Sequence, residues 1–185
     1  MAVLKIRKYG DPVLRQKAAK QNTFDDALQQ QAADMIETMR EAKGIGLAAN
    51  QAGMLNAMCV VEIGMVVEGA EPRAFVNPAI TATMGASVKA EEGCLSIPEI
   101  NEDVERPDRV RVQFQDLEGA PHEEEFEGML ARVLQHEVDH LNGVFFVDRL
   151  RPLRRKMLNK KLKEIAEQTQ RELAEEKSAR RSGNQ

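Results

Sequence analysis

The sequence predicts an α+β fold: short, mostly antiparallel sheets around a central metal-binding helix, with a further helix at the C-terminus. Three observations carry this expectation. Segments 24–41, 128–141 and 152–172 place their apolar residues at helical spacing, whereas 57–63, 74–80, 109–116 and 122–127 are short β-like runs. These do not alternate one by one along the chain, as a doubly wound sheet would require. The middle helical segment contains His136-Glu137-Val138-Asp139-His140, an H-E-x-x-H run.

Taken in order, Gly10-Asp11-Pro12 reads as a turn leading into a short helix over VLRQKA, with Pro12 suited to its first position. From Phe24 to Glu41 the apolar stripe is Leu28, Ala32, Met35, Ile36 and Met39, with Thr23 as expected N-cap and Gly44 as expected stop. AMCVVEI, AFVNPAI and RVRVQFQD follow as strands, the last alternating cleanly through Val110, Val112 and Phe114. Leu117 to Ala120 reads as the turn that pairs it with HEEEFE. Gly128 to Leu141 is helical through Leu130, Val133, Leu134 and Leu141, and Asn142-Gly143 ends it. A final helix is expected from about Pro152 past Glu172, with Leu153, Met157, Leu162, Ile165 and Leu173 as its apolar contacts. The end, SARRSGNQ, reads as frayed. The expected division is a single catalytic domain over 1–150 with a basic C-terminal helix, 151–185, packed on it.

At 185 residues, 42% hydrophobic and 30% charged, the chain fits one globular domain and not a disordered segment. No apolar run approaches the ~20 residues needed to cross a membrane, and no membrane partner is expected. The first residues lack the apolar core of a signal peptide and the serines of a transit peptide, so a cytoplasmic location is expected. Two cysteines, Cys59 and Cys94, do not make a disulfide framework. The net charge of −4 hides an asymmetry: residues 1–148 carry 14 Lys/Arg against 25 Asp/Glu, and residues 149–185 carry 12 against 5. Within the tail, 149–163 holds eight Lys/Arg and no acid, a pattern suited to an anionic partner.

Chemistry concentrates in three clusters. On a helix, His136 and His140 lie one turn apart on one face and can present nitrogens to the same ion. Glu137, about 100° round the helix, reaches a water at that ion without being a ligand. A mononuclear site needs a third ligand. Downstream there is no further histidine, only Asp148 and glutamates on a charged helix; upstream EEGCLSIPE offers Cys94, a strong soft ligand for Zn²⁺ or Fe²⁺. Cys59, inside an apolar strand, reads as an inert core thiol. The third cluster, GIGLAANQAG over 44–53, lacks the spacing and lysine of a phosphate loop.

GIGLAANQ, EGCLS and QHEVDH, in this order and at these separations, together with the GDPVLR start, resemble the signature motifs of the peptide deformylase family, in its bacterial type 1 form. The resemblance covers residues from about 4 to 150. It implies a metallohydrolase that removes the formyl group from the N-terminal methionine of newly made proteins and releases formate. It implies Cys94, His136 and His140 as ligands of one divalent ion, commonly Fe²⁺, with Zn²⁺, Ni²⁺ or Co²⁺ as other occupants. Glu137 is implied as the base acting on the attacking water, with the Gln51 amide and the Leu95 backbone N–H as oxyanion donors. The peptide is expected to lie as an added strand along Gly44, Ile45, Gly46 and Gly93, its methionine side chain entering a pocket lined by Val133 and Ile45. Glu92 and Arg106 resemble a pair beside the cysteine ligand, and Gln135 reads as structural. The implied partners are N-formylmethionyl nascent peptides and, through the basic helix, the ribosome, with no sequence-specific nucleic-acid contact.

The chain departs from the family pattern at three places: Asn50 replaces a common threonine, Ile100-Asn101 follows SIPE where an arginine beside the cleft is common, and Arg132 replaces an apolar residue near the side-chain pocket. Expected preference past methionine is therefore open. The competing reading is a general H-E-x-x-H endopeptidase, which the missing downstream ligand disfavours.

Overall fold

In the computed structural model, which describes residues 2–182, a single five-stranded antiparallel sheet runs β1 (Gly46–Ala48), β2 (Met58–Val61), β3 (Arg73–Cys94), β4 (Ile97–Gln115) and β5 (Pro121–Glu127), with neighbours in sequence also neighbours in space. Four helices accompany it: α1 (Asp26–Glu41), α2 (Gly128–Leu141), α3 (Pro152–Met157) and α4 (Asn159–Ser182). The class is α+β, as the sequence predicts.

Several details differ from expectation. The short helix after Pro12 is only a 3-10 turn, Pro12–Arg15, closed by the Asp11 carboxylate on the Val13 N–H. Helix α1 is capped by Asp25, not Thr23: its carboxylate accepts from Leu28 N–H at 3.0 Å, the geometry of an Asp at N-cap. At the other end Lys43, not Gly44, takes the left-handed conformation (φ 55°). The Gly44 N–H then reaches back to the Met39 carbonyl and the Lys43 N–H to that of Arg40, a Schellman closure. Gly44 is needed for space instead, because a Cβ there would meet Leu95 Cδ1 at 2.7 Å.

The largest difference is the β3–β4 hairpin. AFVNPAI and RVRVQFQD are only the outer ends of strands 22 and 19 residues long, which meet at a two-residue tip, Leu95-Ser96. The inner part escapes a hydrophobic reading because its buried row in β4 is Ile100, Glu102, Val104 and Arg106, half of it charged. Bulges between Met84 and Ser87 and between Glu92 and Cys94 break the two-residue period as well.

Phe75, Phe114 and Phe126 of the sheet pack with Ala131 and Leu134 of α2, while α1 closes a second cluster over β2. Every α2 residue from Val133 to Leu141 is buried. A helix buried all round must give each polar residue on it a partner or a task, and this one carries Gln135, His136, Glu137, Asp139 and His140.

The expected single C-terminal helix is two. Leu158, between α3 and α4, turns inward beside Leu162, and Leu153 and Met157 are left 74% and 65% exposed, contrary to their expected packing role. Helix α4 lies across the N-terminal segment, where a Cβ on Gly10 would meet Ala166 Cα at 2.6 Å. Helical structure continues through the expected frayed end as far as Ser182; 183–185 lie outside the described residues. No helix among the described residues is long and apolar enough to cross a membrane.

Candidate active site

The hairpin and α2 converge on one point. Cys94 is the last residue of β3, held against Ile97 by the tight tip, and α2 presents His136 and His140 one turn apart. Cys94 Sγ lies 3.1 Å from His140 Nε2, and the two Nε2 atoms lie 3.2 Å apart. All three donor atoms fall within 4.8 Å of one another. A tetrahedral ion with ordinary Zn–S and Zn–N bonds needs donor separations of about 3.3–3.6 Å, so this set fits a divalent ion with little adjustment. The His136 Nδ1 faces Glu92 Oε2 at 3.1 Å, which fixes the ring and leaves Nε2 free to ligate.

Electrostatics couple the three groups tightly. Burial opposes ionisation of Cys94, but the charges and hydrogen bonds of His140 and His136 override it and hold the thiol well below its ordinary value. Burial likewise opposes the charged form of His136, and the Cys94 thiolate with the Glu92 carboxylate raises its pKa to about 10. Cys94 also accepts from the Ser96 N–H at 3.4 Å. Cys59, by contrast, is fully buried in β2, and burial pushes its thiol well up, the state of an unreactive core cysteine.

Glu137 points into the same space. Its burial raises its pKa, and its Oε2 has no partner among the described residues. Strand β1 brings Gly46 so close that a Cβ there would stand 2.4 Å from Glu137 Oε1. Beside it, Gln51 is oriented by its own turn: Oε1 accepts the Ala48 N–H at 2.8 Å, so the NH₂ faces Ser96 Oγ at 3.2 Å and Cys94 Sγ at 3.6 Å. Asn50 is buried and donates to the His140 carbonyl, tying this turn to α2.

Glu92 and Arg106 form a buried two-pronged pair at 2.7 and 3.0 Å. The sequence reading missed what surrounds them. Arg106 also reaches Asp139 at 2.8 Å, Asp139 holds Arg149, and Arg132 spans Glu92, the Val104 carbonyl and the Val88 carbonyl. Asp139 and Arg132 stand three after and four before His136, so helical spacing was the one available signal. Gln135 bonds the Pro107 and Ala131 carbonyls.

A cleft of about 380 Å³ opens over these groups, and Gly44, Ile45, Gly46, Gly93 and Val133 all line it, with Met129 and Arg132. A largely buried Cys/His/His donor set, an unpartnered glutamate on the same helix and inward-facing amide donors define a metal-dependent hydrolase.

The family follows from comparison with known proteins. The sequence model described as polypeptide deformylase matches residues 3–156, and the chain belongs to that family. Members are metal-dependent hydrolases that remove N-formyl groups from newly made proteins, and this chain has that activity. It is 46% identical over 158 residues to the peptide deformylase of Brucella suis biovar 1, covering 85% of this chain and 90% of that one. The Thermus thermophilus peptide deformylase structure superposes with a TM-score of 0.83 at 41% identity, covering 90% and 99% of the two chains. A Synechococcus elongatus peptide deformylase in complex with actinonin gives 0.81 at 43% identity, covering 87% and 89%.

Proposed function

We propose that the three ligands Cys94, His136 and His140 hold one divalent ion, physiologically Fe²⁺, with Zn²⁺, Ni²⁺ or Co²⁺ as replacements, and that the substrate is the formylated methionine of a nascent chain. The observation that carries this is the partnerless Glu137 carboxylate beside the converged thiolate and imidazoles. When bound, the ion supplies Lewis-acid chemistry toward water and the formyl oxygen. Glu137 takes a proton from the attacking water as its oxygen bonds to the formyl carbon. It returns that proton to the amine nitrogen as the C–N bond breaks, leaving formate and a free amino terminus. The Gln51 NH₂ and Leu95 N–H stabilise the charge that develops on the formyl oxygen.

The peptide pairs as an added strand with backbone at Gly44, Ile45, Gly46 and Gly93, and its methionine side chain packs on Val133 and Ile45. A formyl carbon bears only hydrogen, so a close wall admits it and rejects acetyl by roughly 10–200-fold. Glu92 and Arg106 keep His136 in its ligating orientation. In this reading residues 1–150 are the catalytic unit of a cytoplasmic enzyme, and the basic segment 151–185 docks on ribosomal phosphates without reading sequence.

The test is formate release from a formyl-Met tripeptide by anaerobically purified protein of known metal content. Formate release from the formyl peptide, acetate release at least about tenfold slower from its acetyl counterpart, and intact internal bonds in an unfolded protein support the proposal. Cleavage of internal bonds supports the endopeptidase reading instead.

A further inference from the structure

Residues 7–9, just before the first 3-10 turn, touch the cleft's two donor-bearing parts in succession. Arg7 N–H bonds the Gln51 carbonyl at 2.7 Å, Lys8 Nζ bonds the Leu95 carbonyl at 2.6 Å, and Tyr9 N–H bonds the Ser96 carbonyl at 2.8 Å. Both carbonyls of the two-residue hairpin tip are therefore held by one dipeptide. The Leu95 N–H, by contrast, has no acceptor of its own among the described residues. The Leu95 carbonyl shares its peptide plane with the Ser96 N–H and not with the Leu95 N–H, so the Lys8 and Tyr9 bonds together restrain the tip backbone from which the Leu95 N–H projects.

Two of the three contacts come from backbone and would survive most substitutions. The Lys8 bond is different, since it depends on a side chain and carries a charge. The ammonium is half-buried, and burial lowers its pKa while the nearby Cys94 and Glu172 charges oppose that fall. A charge-assisted bond to a carbonyl is stronger than a neutral one, which suits it to fixing a tip beside the reacting atoms.

We propose that Lys8 is a positioning residue for the hydrolysis: by anchoring the Leu95–Ser96 peptide it keeps the hairpin tip, and with it the Leu95 N–H, in place beside the developing oxyanion. This rests on the reading of Leu95 as an oxyanion donor. The donor acts in the transition state and not in ground-state binding, so the signature is a split between kcat and KM.

The experiment compares full-length, metal-loaded wild type, Lys8→Met and Lys8→Arg on a formyl-Met tripeptide, with metal content measured in each. Loss of a whole oxyanion donor costs about 100–1,000-fold in kcat, so a loosened one should cost about tenfold in Lys8→Met, with KM within about twofold, full metal content and recovery in Lys8→Arg. Amide hydrogen exchange at Leu95 should be faster in Lys8→Met and restored in Lys8→Arg, a readout independent of turnover. Unchanged kcat in Lys8→Met, a fall matched by metal loss, or no recovery with arginine would each overturn the proposal. An inactive wild type would instead count against the deformylase site itself, and Leu95 exchange would still report on the Lys8 contact.

Discussion

Gly46 shows how tightly single residues are constrained here. A methyl group at that position would fall 2.4 Å from Glu137 Oε1, inside the carboxylate's own space. Gly46→Ala should therefore displace the base while leaving the distant core intact. The expected result is a kcat at least about tenfold lower, with metal content and thermal midpoint close to wild type, as catalytic geometry tolerates little misplacement. Steady-state kinetics with metal analysis check it, and unchanged kcat would show that Glu137 does not work from this position. At this scale much was legible in the sequence. His136, Glu137 and His140 are spaced by one helix, so periodicity alone puts them together. The Lys8 contact was not legible, and helical spacing placed Arg132 and Asp139 near His136 without showing their partners, because Lys8 meets Leu95 across 87 residues and Arg132 meets Glu92 across 40.

The elements hold these residues through contacts that propensity does not reveal. The inner half of the β3–β4 hairpin was invisible because charged Glu102 and Arg106 occupy its buried row, and only the folded molecule supplies Arg154 and Glu92 as their partners. The turn holding Asp148, residues Phe146–Arg149, is joined to the Pro12–Arg15 turn in the same way: Asp148 accepts from Arg15 and from the Phe145 N–H at 2.9 Å. Burial opposes ionisation of Asp148, yet the Arg15 and Phe145 bonds hold its pKa below the ordinary 3.8. A depressed carboxylate stabilises the fold above its unfolded pKa and loses that contribution as pH falls through the folded one. Asp148→Asn should thus cost about 1 kcal/mol at neutral pH. The difference from wild type should shrink as pH drops below about 4. Urea midpoints at the two pH values measure this, and a deficit that grows on acidification would contradict it.

Across the whole molecule, part of the basic charge that was plain in the sequence is used inside the fold. Of the eight basic residues in 149–163, Arg149 holds Asp139, Arg154 holds Glu102 and Arg155 bonds Tyr9 and Asn159. Arg151, Lys156, Lys160 and Lys161 are exposed and carry no ion pair among the described residues. Changing these four to serine should leave formate release intact and weaken ribosome co-sedimentation at low salt, with a shallower salt dependence. Unchanged co-sedimentation would remove the docking proposal. Deleting α3 and α4 is a poorer test, since Leu158 and Leu162 are part of a core cluster and Lys5 and Arg7 pair with Glu176. In the proposed site one helix supplies two ligands and the base, with Cys94 completing it from the hairpin. Its most direct test is metal content and formate release measured together in Glu137→Gln and Cys94→Ala. Glu137→Gln should keep its metal and lose about 100–10,000-fold in turnover, while Cys94→Ala should lose both. Full turnover in Glu137→Gln, or full metal retention in Cys94→Ala, would contradict it.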